Sequence, residues 1–171
     1  LLHRNQRLKH TQISTCFAVL EGHSHSVYGV IEARDGRLLS WTLIGELRLW
    51  NKQGNSLGVL KGHSHLIDGA IKTGDGRFLS WSFDNTLRLW DADGSSLAVL
   101  EGHSSFVDGA IETQDGQFLS WSADKTLRLW DKQGNPIAVF KGHSDYAIGA
   151  MEARDGRFLR TEEHTSAIQS H

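Results

Sequence analysis

Apolar and polar side chains alternate in short segments along most of the chain, which is the pattern of β-strands whose residues point to either side in turn. In residues 100–139 this pattern predicts four strands, at 105–112, 117–122, 126–131 and 136–140. In the third of these, Leu127 and Leu129 point to one side and Trp130 to the other. Bulky apolar residues on both sides indicate a sheet stacked between neighbouring sheets, and no helical periodicity competes with this pattern.

The segment recurs in the sequence with a period of about 40 residues. Residues 60–99 align with 100–139 without a gap, residues 20–59 fit the same frame more loosely, and residues 140–159 begin it again. Gly-His stands near the start of each copy, and Trp followed by Asp or Asn stands near the end of each full copy. A fixed period of this length is the signature of a repeat architecture in which each copy is one supersecondary unit.

These motifs, repeated in register from Phe17 to about Leu159, resemble the WD-repeat β-propeller family, and the near-identical copies are similar to recently amplified bacterial repeats. The resemblance implies an all-β fold of propeller blades, each made of four antiparallel strands. It predicts three full blades and a partial blade at each end, within a propeller region at 16–159. The predicted blades lie at about 20–59, 60–99, 100–139 and, for the partial C-terminal blade, 140–159.

The two ends lie outside the clear repeats. Residues 1–15 form an N-terminal segment that is either flexible or, since Phe17–Leu20 matches the last strand of a full copy, includes a degenerate strand. Residues 160–171 have lost the Ser-Trp and Trp-Asp pairs, so we expect a divergent, poorly packed C-terminal tail, with a degenerate strand as the alternative. Because the first residue is Leu1 rather than Met, we also expect a fragment of a longer protein.

The partial blades are complementary, since the front of the chain supplies outer strands and the back supplies inner ones. By resemblance, the family closes its ring by combining terminal strands in one shared blade. An open arc from a larger protein, or two chains that complete a ring, is favoured over closure with the minimum of about four blades. Exposed terminal blades leave apolar faces and strand edges open, so self-association through uncapped blades is expected.

The resemblance also implies a hydrogen-bonded tetrad inside each blade. Its members are the Gly-His histidine, a serine of the second strand, an aspartate of the next turn and the tryptophan of Trp-Asp. Strand alternation places both serines of a second strand on the same side, so the choice between them stays open. The implied residues are His63, Ser80 or Ser82, Asp84 and Trp90 in one blade, and His103, Ser120 or Ser122, Asp124 and Trp130 in the next. A hydrolase triad copied in every blade is disfavoured, because a nucleophile needs one exposed site with an oxyanion hole.

The first blade departs from this pattern. It keeps His23, Trp50 and Ser40 or Thr42, but Ile44 stands where the other blades have aspartate. Its tetrad is therefore expected to lack the acceptor for the histidine, and we expect this blade to be the least rigid of the three.

Two further patterns have a structural interpretation. Tryptophans in the middle of second strands, alternating with leucines, are expected to pack between blades rather than form a surface platform: Trp41, Trp81 and Trp121. Closely spaced histidine pairs, His23 with His25 and His63 with His65, are not expected to bind a metal, because one member of each has the tetrad role. We therefore expect neither a metal nor a cofactor.

Composition narrows the range of partners. The 171 residues carry a formal net charge of −2, and lysine and arginine are dispersed over repeat positions, which argues against a nucleic-acid partner. Cys16 is the only cysteine, which rules out an intrachain disulfide and favours a reducing, cytoplasmic location. No apolar run approaches the roughly 20 residues of a membrane span, so no membrane partner is expected.

By resemblance, the expected function is that of a non-catalytic protein–protein interaction scaffold with a protein or peptide partner. Recognition should use residues that differ between otherwise similar copies, and aromatic side chains tend to dominate binding energy. The candidates are Tyr28, Asp68, Phe83, Phe106, Asp108 and Tyr146. One alternative is a sensory or scaffold segment of a larger, multidomain signalling protein that is inactive alone. A remote alternative is an enzyme with an unrecognised site, which should then depend on residues unique to one blade.

Overall fold

The structure is a computed structural model that describes residues 19–141, 147–152 and 158–162. Its strands follow the repeat seen in the sequence. In chain order they are β1 Val27–Glu32, β2 Leu38–Thr42, β3 Leu47–Trp50, β4 Ser56–Leu60, β5 Ile67–Lys72, β6 Phe78–Ser82, β7 Leu87–Trp90, β8 Ser96–Leu100, β9 Val107–Glu112, β10 Phe118–Ser122, β11 Leu127–Trp130, β12 Pro136–Phe140, β13 Ala147–Glu152 and β14 Phe158–Glu162.

Consecutive strands pair antiparallel and form separate sheets. The sheets β1–β4, β5–β8 and β9–β12 have four strands each, and β13 pairs with β14 in a sheet of two. The prediction of an all-β fold with three full blades, followed by a partial one, is confirmed. The predicted N-terminal partial blade falls mostly on residues 1–18, outside the described part of the chain, and Val19 and Leu20 precede β1 without belonging to a strand.

The second strand of the fourth blade runs further than the sequence indicated. Residues from Arg160 to Glu162 were assigned to the divergent tail, but β14 includes them, and Arg160 and Thr161 pair with Ala150 and Gly149 of β13. Strand pairing uses backbone groups, which every residue except proline supplies in full, so losing the Ser-Trp motif does not end the strand. Residues 163–171 lie outside the described residues.

The blades stack through their first strands. Strands β1, β5, β9 and β13 each contact the next, so the first strands form the inner edge where the blades converge. The second strands β2, β6 and β10 also contact the first strand of the following blade. The fourth strands lie at the outer edge. Because the strands of each blade are antiparallel, the loops and turns between them lie at the two ends of the stack.

Two surfaces recur in both contacts between the full blades. We call the side that carries Leu39, Leu49 and Leu60 the leucine face, and the side of the next blade that carries Ile67, Ala70 and Phe78 the receiving face. These residues form one buried cluster between blades 1 and 2. The equivalent residues form a second cluster between blades 2 and 3: Leu79, Leu89, Leu100, Val107, Ala110 and Phe118. Full burial of each large side chain stabilises the fold by about 1.5–3 kcal/mol.

The mid-strand tryptophans belong to these contacts. Trp41 is buried in the first cluster and Trp81 packs at the margin of the second. Each indole lies over a glycine of the paired first strand; a Cβ on Gly109 would come within 2.1 Å of Trp121. Only glycine fits opposite the tryptophan, because any side chain there would collide with the indole ring. The interpretation of Trp41 and Trp81 as packing residues between blades agrees with this placement.

Polar contacts tie the blades together at the end of the stack where first strands finish. The Glu112 carboxylate accepts a hydrogen bond of 2.6 Å from the backbone N–H of Gly74 in the previous blade. Glu152 accepts one of 2.7 Å from the N–H of Gln114 in the same way. Between blades 1 and 2 the corresponding position is Lys72, which has no acceptor to offer the N–H of Arg34.

We predict that Lys72→Glu stabilises the protein by about 0.5–1.5 kcal/mol, because it supplies the missing acceptor for the Arg34 N–H. The measurement is the urea midpoint at neutral pH. Lys61→Glu is the matched control, since it makes the same charge change at an exposed position on the other end of the blades. Equal shifts for both variants would show that net charge, and not the tie between blades, is responsible.

Candidate functional site

The second blade contains a chain of side-chain hydrogen bonds that runs through its interior. The Trp90 indole N–H donates to Ser80 Oγ at 2.8 Å, and Ser80 Oγ lies 2.9 Å from His63 Nε2. The other ring nitrogen, His63 Nδ1, lies 2.8 Å from Asp84 Oδ2. Because an indole can only donate and a carboxylate can only accept, the bonds must run from Trp90 through Ser80 and His63 to Asp84.

The third blade repeats this arrangement. Ser120 Oγ accepts from Trp130 at 2.9 Å and lies 2.9 Å from His103 Nε2, and His103 Nδ1 lies 2.9 Å from Asp124. Burial lowers the pKa of His103 against the opposing effect of Asp124, so the ring is held neutral. Burial would raise the pKa of Asp124, but hydrogen bonds from Thr126, from the Ser104 N–H and from His103 outweigh it and lower the pKa to about 2.

The geometry selects one serine of each pair. Ser80 and Ser120 join the tetrads, whereas Ser82 and Ser122 serve the following turn. The Asp84 N–H donates to Ser82 Oγ at 3.0 Å, and Ser82 in turn donates to the His65 carbonyl at 3.3 Å. Strand alternation alone could not separate the two serines, because both point to the same side.

The histidine, serine and aspartate of each tetrad are placed for structure rather than for nucleophilic chemistry. Ser80 and Ser120 have no exposed surface, and each hydroxyl already accepts an indole N–H. A nucleophile must be reachable by substrate and activated toward it. Satisfied buried polar groups instead avoid a desolvation penalty of about 1–3 kcal/mol each.

The first blade compensates in part for its missing aspartate. His23 Nε2 lies 2.6 Å from Ser40 Oγ, which accepts from Trp50 at 2.7 Å, so this half of the tetrad is intact. Glu46, two residues after Ile44, brings its carboxylate to 3.5 Å from His23 Nδ1, too far for a hydrogen bond. His23 Nδ1 therefore has no hydrogen-bond acceptor, as expected, although the longer Glu46 side chain brings a carboxylate near it. Sequence alignment missed Glu46 because it stands at the threonine position, not at the aspartate position.

A second set of residues lies at what we call the upper rim, the end of the stack with the loops before first strands and the turns between second and third strands. Each first strand has a β-bulge here. Val27 pairs with Thr42 and Gly29 with Trp41, which leaves Tyr28 without a partner. Asp68 and Asp108 are the extra residues of the same bulges in blades 2 and 3. Bulges redirect a side chain and are frequent next to functional sites.

Asp68 and Asp108 form a pair of half-buried carboxylates on adjacent inner strands. Burial, then the negative charges of Asp68 and Asp124, raise the pKa of Asp108 to about 6. Burial also raises the pKa of Asp68, which the nearby indole of Trp81 only partly offsets. None of the ion pairs among the described residues involves either carboxylate.

Aromatic rings stack on one another at the same rim. Phe83, in the turn after β6, stacks on Phe106, in the loop before β9, with ring centroids 4.7 Å apart. His65 also stacks on Phe83, with ring centroids 6.4 Å apart. The Phe83 N–H donates to the Leu66 carbonyl at 2.9 Å, which fixes the turn against the loop. We call Asp68, Asp108, His65, Phe83 and Phe106 the rim cluster.

The predicted binding candidates thus divide into three groups. Four of them lie at the upper rim in two pairs: Phe83 stacks on Phe106, and the charge of Asp68 acts on Asp108. His65, which stacks on Phe83, differs from Ser105 of the next copy and could have been found by the same comparison. Tyr28 is exposed at the bulge of blade 1, outside the cluster. Tyr146 lies outside the described residues.

The described part of the chain contains no group of three or more His, Cys, Asp or Glu side chains arranged to hold a metal ion. Of the paired histidines, His25 contacts Ser24 and His65 stacks on Phe83. Within the same residues there is no helix with the length and apolarity needed to cross a membrane.

Stacked four-stranded antiparallel blades are the architecture of a β-propeller, and the second and third blades here are each joined internally by a Trp–Ser–His–Asp chain of hydrogen bonds. A family model described as WD domain, G-beta repeat, matches residues 54–91 and 94–131. Two segments of the chain therefore match WD repeats, and the chain has the fold of a partial β-propeller. WD-repeat propellers are generally non-catalytic scaffolds for protein interactions. A comparison with curated proteins gave no significant match.

Solved structures with the same fold include three at low sequence identity. The WD40 beta propeller domain of Doa1 is 23% identical, with a TM-score of 0.71 over 84% of this chain and 50% of that one. The computationally designed Ika4 protein is 21% identical, with a TM-score of 0.72 over 88% of this chain and 99% of that one. U3-55K is 22% identical, with a TM-score of 0.68 over 76% and 43%. The chain thus spans about half the length of the Doa1 domain.

We predict that Ile44→Asp combined with Glu46→Thr stabilises the first blade by about 1–2 kcal/mol, because it gives the buried His23 Nδ1 an acceptor. The measurement is amide hydrogen exchange in β2 and β3 together with thermal unfolding. Glu46→Thr alone is the control and should destabilise, since it removes the carboxylate that approaches His23. A double variant less stable than the parent would contradict the proposed role of Glu46 as a substitute.

We predict that Asp108→Asn stabilises the protein at neutral pH and not at about pH 4. Its pKa of about 6 in the folded state lies above the ordinary value of 3.8, so ionisation opposes folding. This loss of folding stability is absent below the pKa of Asp108 in the unfolded chain. It grows as the pH rises through the pKa of Asp108 in the folded state. Allowing for solvent screening of a half-exposed group, the gain is about 1 kcal/mol at neutral pH. Unfolding midpoints at both pH values test this, with Asp115→Asn, an exposed carboxylate at the other end of the blades, as control.

Proposed function

We propose that this chain is a non-catalytic protein-interaction module whose recognition surface is the rim cluster, and that it binds a segment carrying basic and apolar side chains. The observation that supports this most directly is the placement of Asp68 and Asp108 at equivalent β-bulges of adjacent blades, with neither carboxylate in any of the ion pairs found among the described residues. The bulges aim these side chains away from the strand ladder, where a partner can reach them.

The electrostatics favour a basic partner. Burial and the negative charge of Asp68 both oppose ionisation of the half-buried Asp108. A lysine or arginine of a partner would relieve that repulsion and gain charge-assisted hydrogen bonds in return. The surface therefore discriminates against acidic segments as well as favouring basic ones.

The aromatic members supply the apolar part of the surface. Phe83 and Phe106 are only partly buried although they stack on each other. Partly exposed aromatic rings next to a polar rim are typical anchors of binding interfaces. An arginine would gain further from packing its guanidinium against the face of a ring.

The test uses labelled short peptides that alternate leucine with arginine, glutamine or glutamate, measured by fluorescence anisotropy against the whole chain. The arginine peptide should bind most tightly and the glutamate peptide least. Asp68→Asn with Asp108→Asn should weaken arginine-peptide binding by about tenfold, corresponding to about 1.4 kcal/mol. Phe83→Ala should weaken binding of the arginine and glutamine peptides alike.

Asp115→Asn is the matched control, because it removes one exposed carboxylate from the opposite end of the blades. If it weakened binding as much as the rim variants, the attraction would be a general effect of net charge. Equal binding of the three peptides would refute the proposed partner class.

A further inference from the structure

One backbone donor, at the end of the blades opposite the upper rim, lacks the acceptor that its equivalents have. The N–H of Gly74 donates to the Glu112 carboxylate at 2.6 Å, and the N–H of Gln114 donates to Glu152 at 2.7 Å. The equivalent donor in the first blade is the N–H of Arg34, and none of the hydrogen bonds found among the described residues involves it. Two of the three described contacts between blades thus hold a glutamate carboxylate at this point, and the contact between blades 1 and 2 holds none.

A cation stands where this contact would need the carboxylate. Lys72 ends β5 at the repeat position of Glu112, so its side chain starts from the same place but can only donate hydrogen bonds. Lys72 and Arg34 are both exposed, and neither belongs to an ion pair among the described residues. Glu32 lines a cavity together with Lys72 but does not pair with it. One free N–H and two cations outside any ion pair therefore belong to the same contact.

The contact also contains space. A cavity of about 340 Å³ lies between the turns of blades 1 and 2, and Arg34 is one of its lining residues. The corresponding cavity between blades 2 and 3 is about 270 Å³ and is lined by that contact's own glutamate. The two carboxylates that line the first cavity are each held by an arginine, Asp35 by Arg37 at 2.6 Å and Asp75 by Arg77 at 2.7 Å. The cavity therefore has room for a carboxylate, and its own acidic groups are already paired.

We propose that this contact binds the carboxylate of a glutamate side chain from a partner protein, which takes the place that Glu112 and Glu152 occupy in the next two contacts. The Arg34 N–H donates to the carboxylate, and the side chains of Arg34 and Lys72 attract it. A hydrogen bond from a backbone N–H to an ionised carboxylate is stronger than one between neutral groups. The site and the rim cluster lie at opposite ends of the blades, so neither depends on the other.

The first experiment follows the backbone amide signals of the isotope-labelled whole chain by NMR while sodium acetate replaces sodium chloride at constant ionic strength. The Arg34 signal should move and reach saturation. The signals of Gly74 and Gln114 are internal controls, because their N–H groups already donate to carboxylates. Acetamide, which has a similar shape but no charge, should move the Arg34 signal less. The proposal is overturned if Arg34 moves no more than Gly74, or if acetamide acts as well as acetate.

Blocked amino acids distinguish a protein side chain from a free carboxylate. N-acetyl glutamate methylamide presents one side-chain carboxylate between two peptide groups, and the glutamine derivative is its uncharged twin. The glutamate derivative should saturate the shift of the Arg34 signal at a concentration no higher than acetate does, and the glutamine derivative should leave the signal in place. A response to acetate alone would show that the cavity admits small anions but no side chain of a partner, which would overturn the proposal.

Lys72→Glu should fill the site from within the chain. Its Arg34 signal should start near the acetate-saturated position and should not respond to acetate. Lys61→Glu is the matched control, since it makes the same charge change at an exposed position on the other end of the blades, and it should keep the response. Lys72→Gln should keep the response with a half-saturating concentration about twofold to fivefold higher, because it removes one exposed cation. An unchanged response in Lys72→Glu would overturn the proposal.

A proline tests the backbone donor separately from the charge. The Gly36 N–H donates to the Ala33 carbonyl at 3.1 Å, so residue 34 is the second residue of a tight turn, where proline is favoured. Arg34→Pro removes the N–H, whereas Arg34→Gln keeps it and removes the same charge. The neighbouring amide signals of Asp35 and Gly36 should respond to acetate in the glutamine variant and not in the proline variant. Equal responses in the two variants would show that the N–H is not the donor and would overturn the proposal.

Discussion

The structure depends on one apolar contact, the packing of the leucine face of a blade on the receiving face of the next. A four-stranded sheet with large apolar residues on both sides cannot fold alone, because either face left in water forfeits the main favourable term in folding. Leu39 and Phe78 are fully buried only because they meet each other's blade. Stability in this chain is therefore a property of neighbouring pairs of blades, and the end blades are its weakest members.

The tetrads have a different task, which is to fix the geometry inside each blade. The chain from Trp90 to Asp84 links the third strand to the second, the loop before the first strand and the turn after the second. Because its two ends are obligatory donor and acceptor, the direction of every bond is determined and the histidine ring has one orientation. The rim cluster is built on that loop and that turn, so the buried polar chain sets the positions of exposed side chains a few residues away.

Much of the fold could be predicted from the sequence because the same strand pattern occurs in several copies of the repeat. Four strands per copy, their order and the members of the tetrads follow from alternation and family resemblance. The choice of Ser80 over Ser82 could not, since it depends on depth along a strand and not on the side. The role of Glu46 was hidden because a longer side chain reached from a position that alignment reserves for threonine. The stacking of Phe83 on Phe106 depends on how two blades are placed, which no pattern within one copy contains.

The β-bulges explain why one position can hold tyrosine in the first blade and aspartate in the next two. The extra residue of a bulge has no partner on the paired strand. Its side chain is therefore not subject to the packing that restricts the glycine and the alanine or valine that follow it. A substitution at this position leaves the strand pairing intact, whereas a side chain on the glycine that follows would collide with the paired tryptophan. The side chain at the bulge can therefore change while the strand pairing of the blade is kept. Each further copy of the repeat brings one more such position at which a new ligand contact can arise.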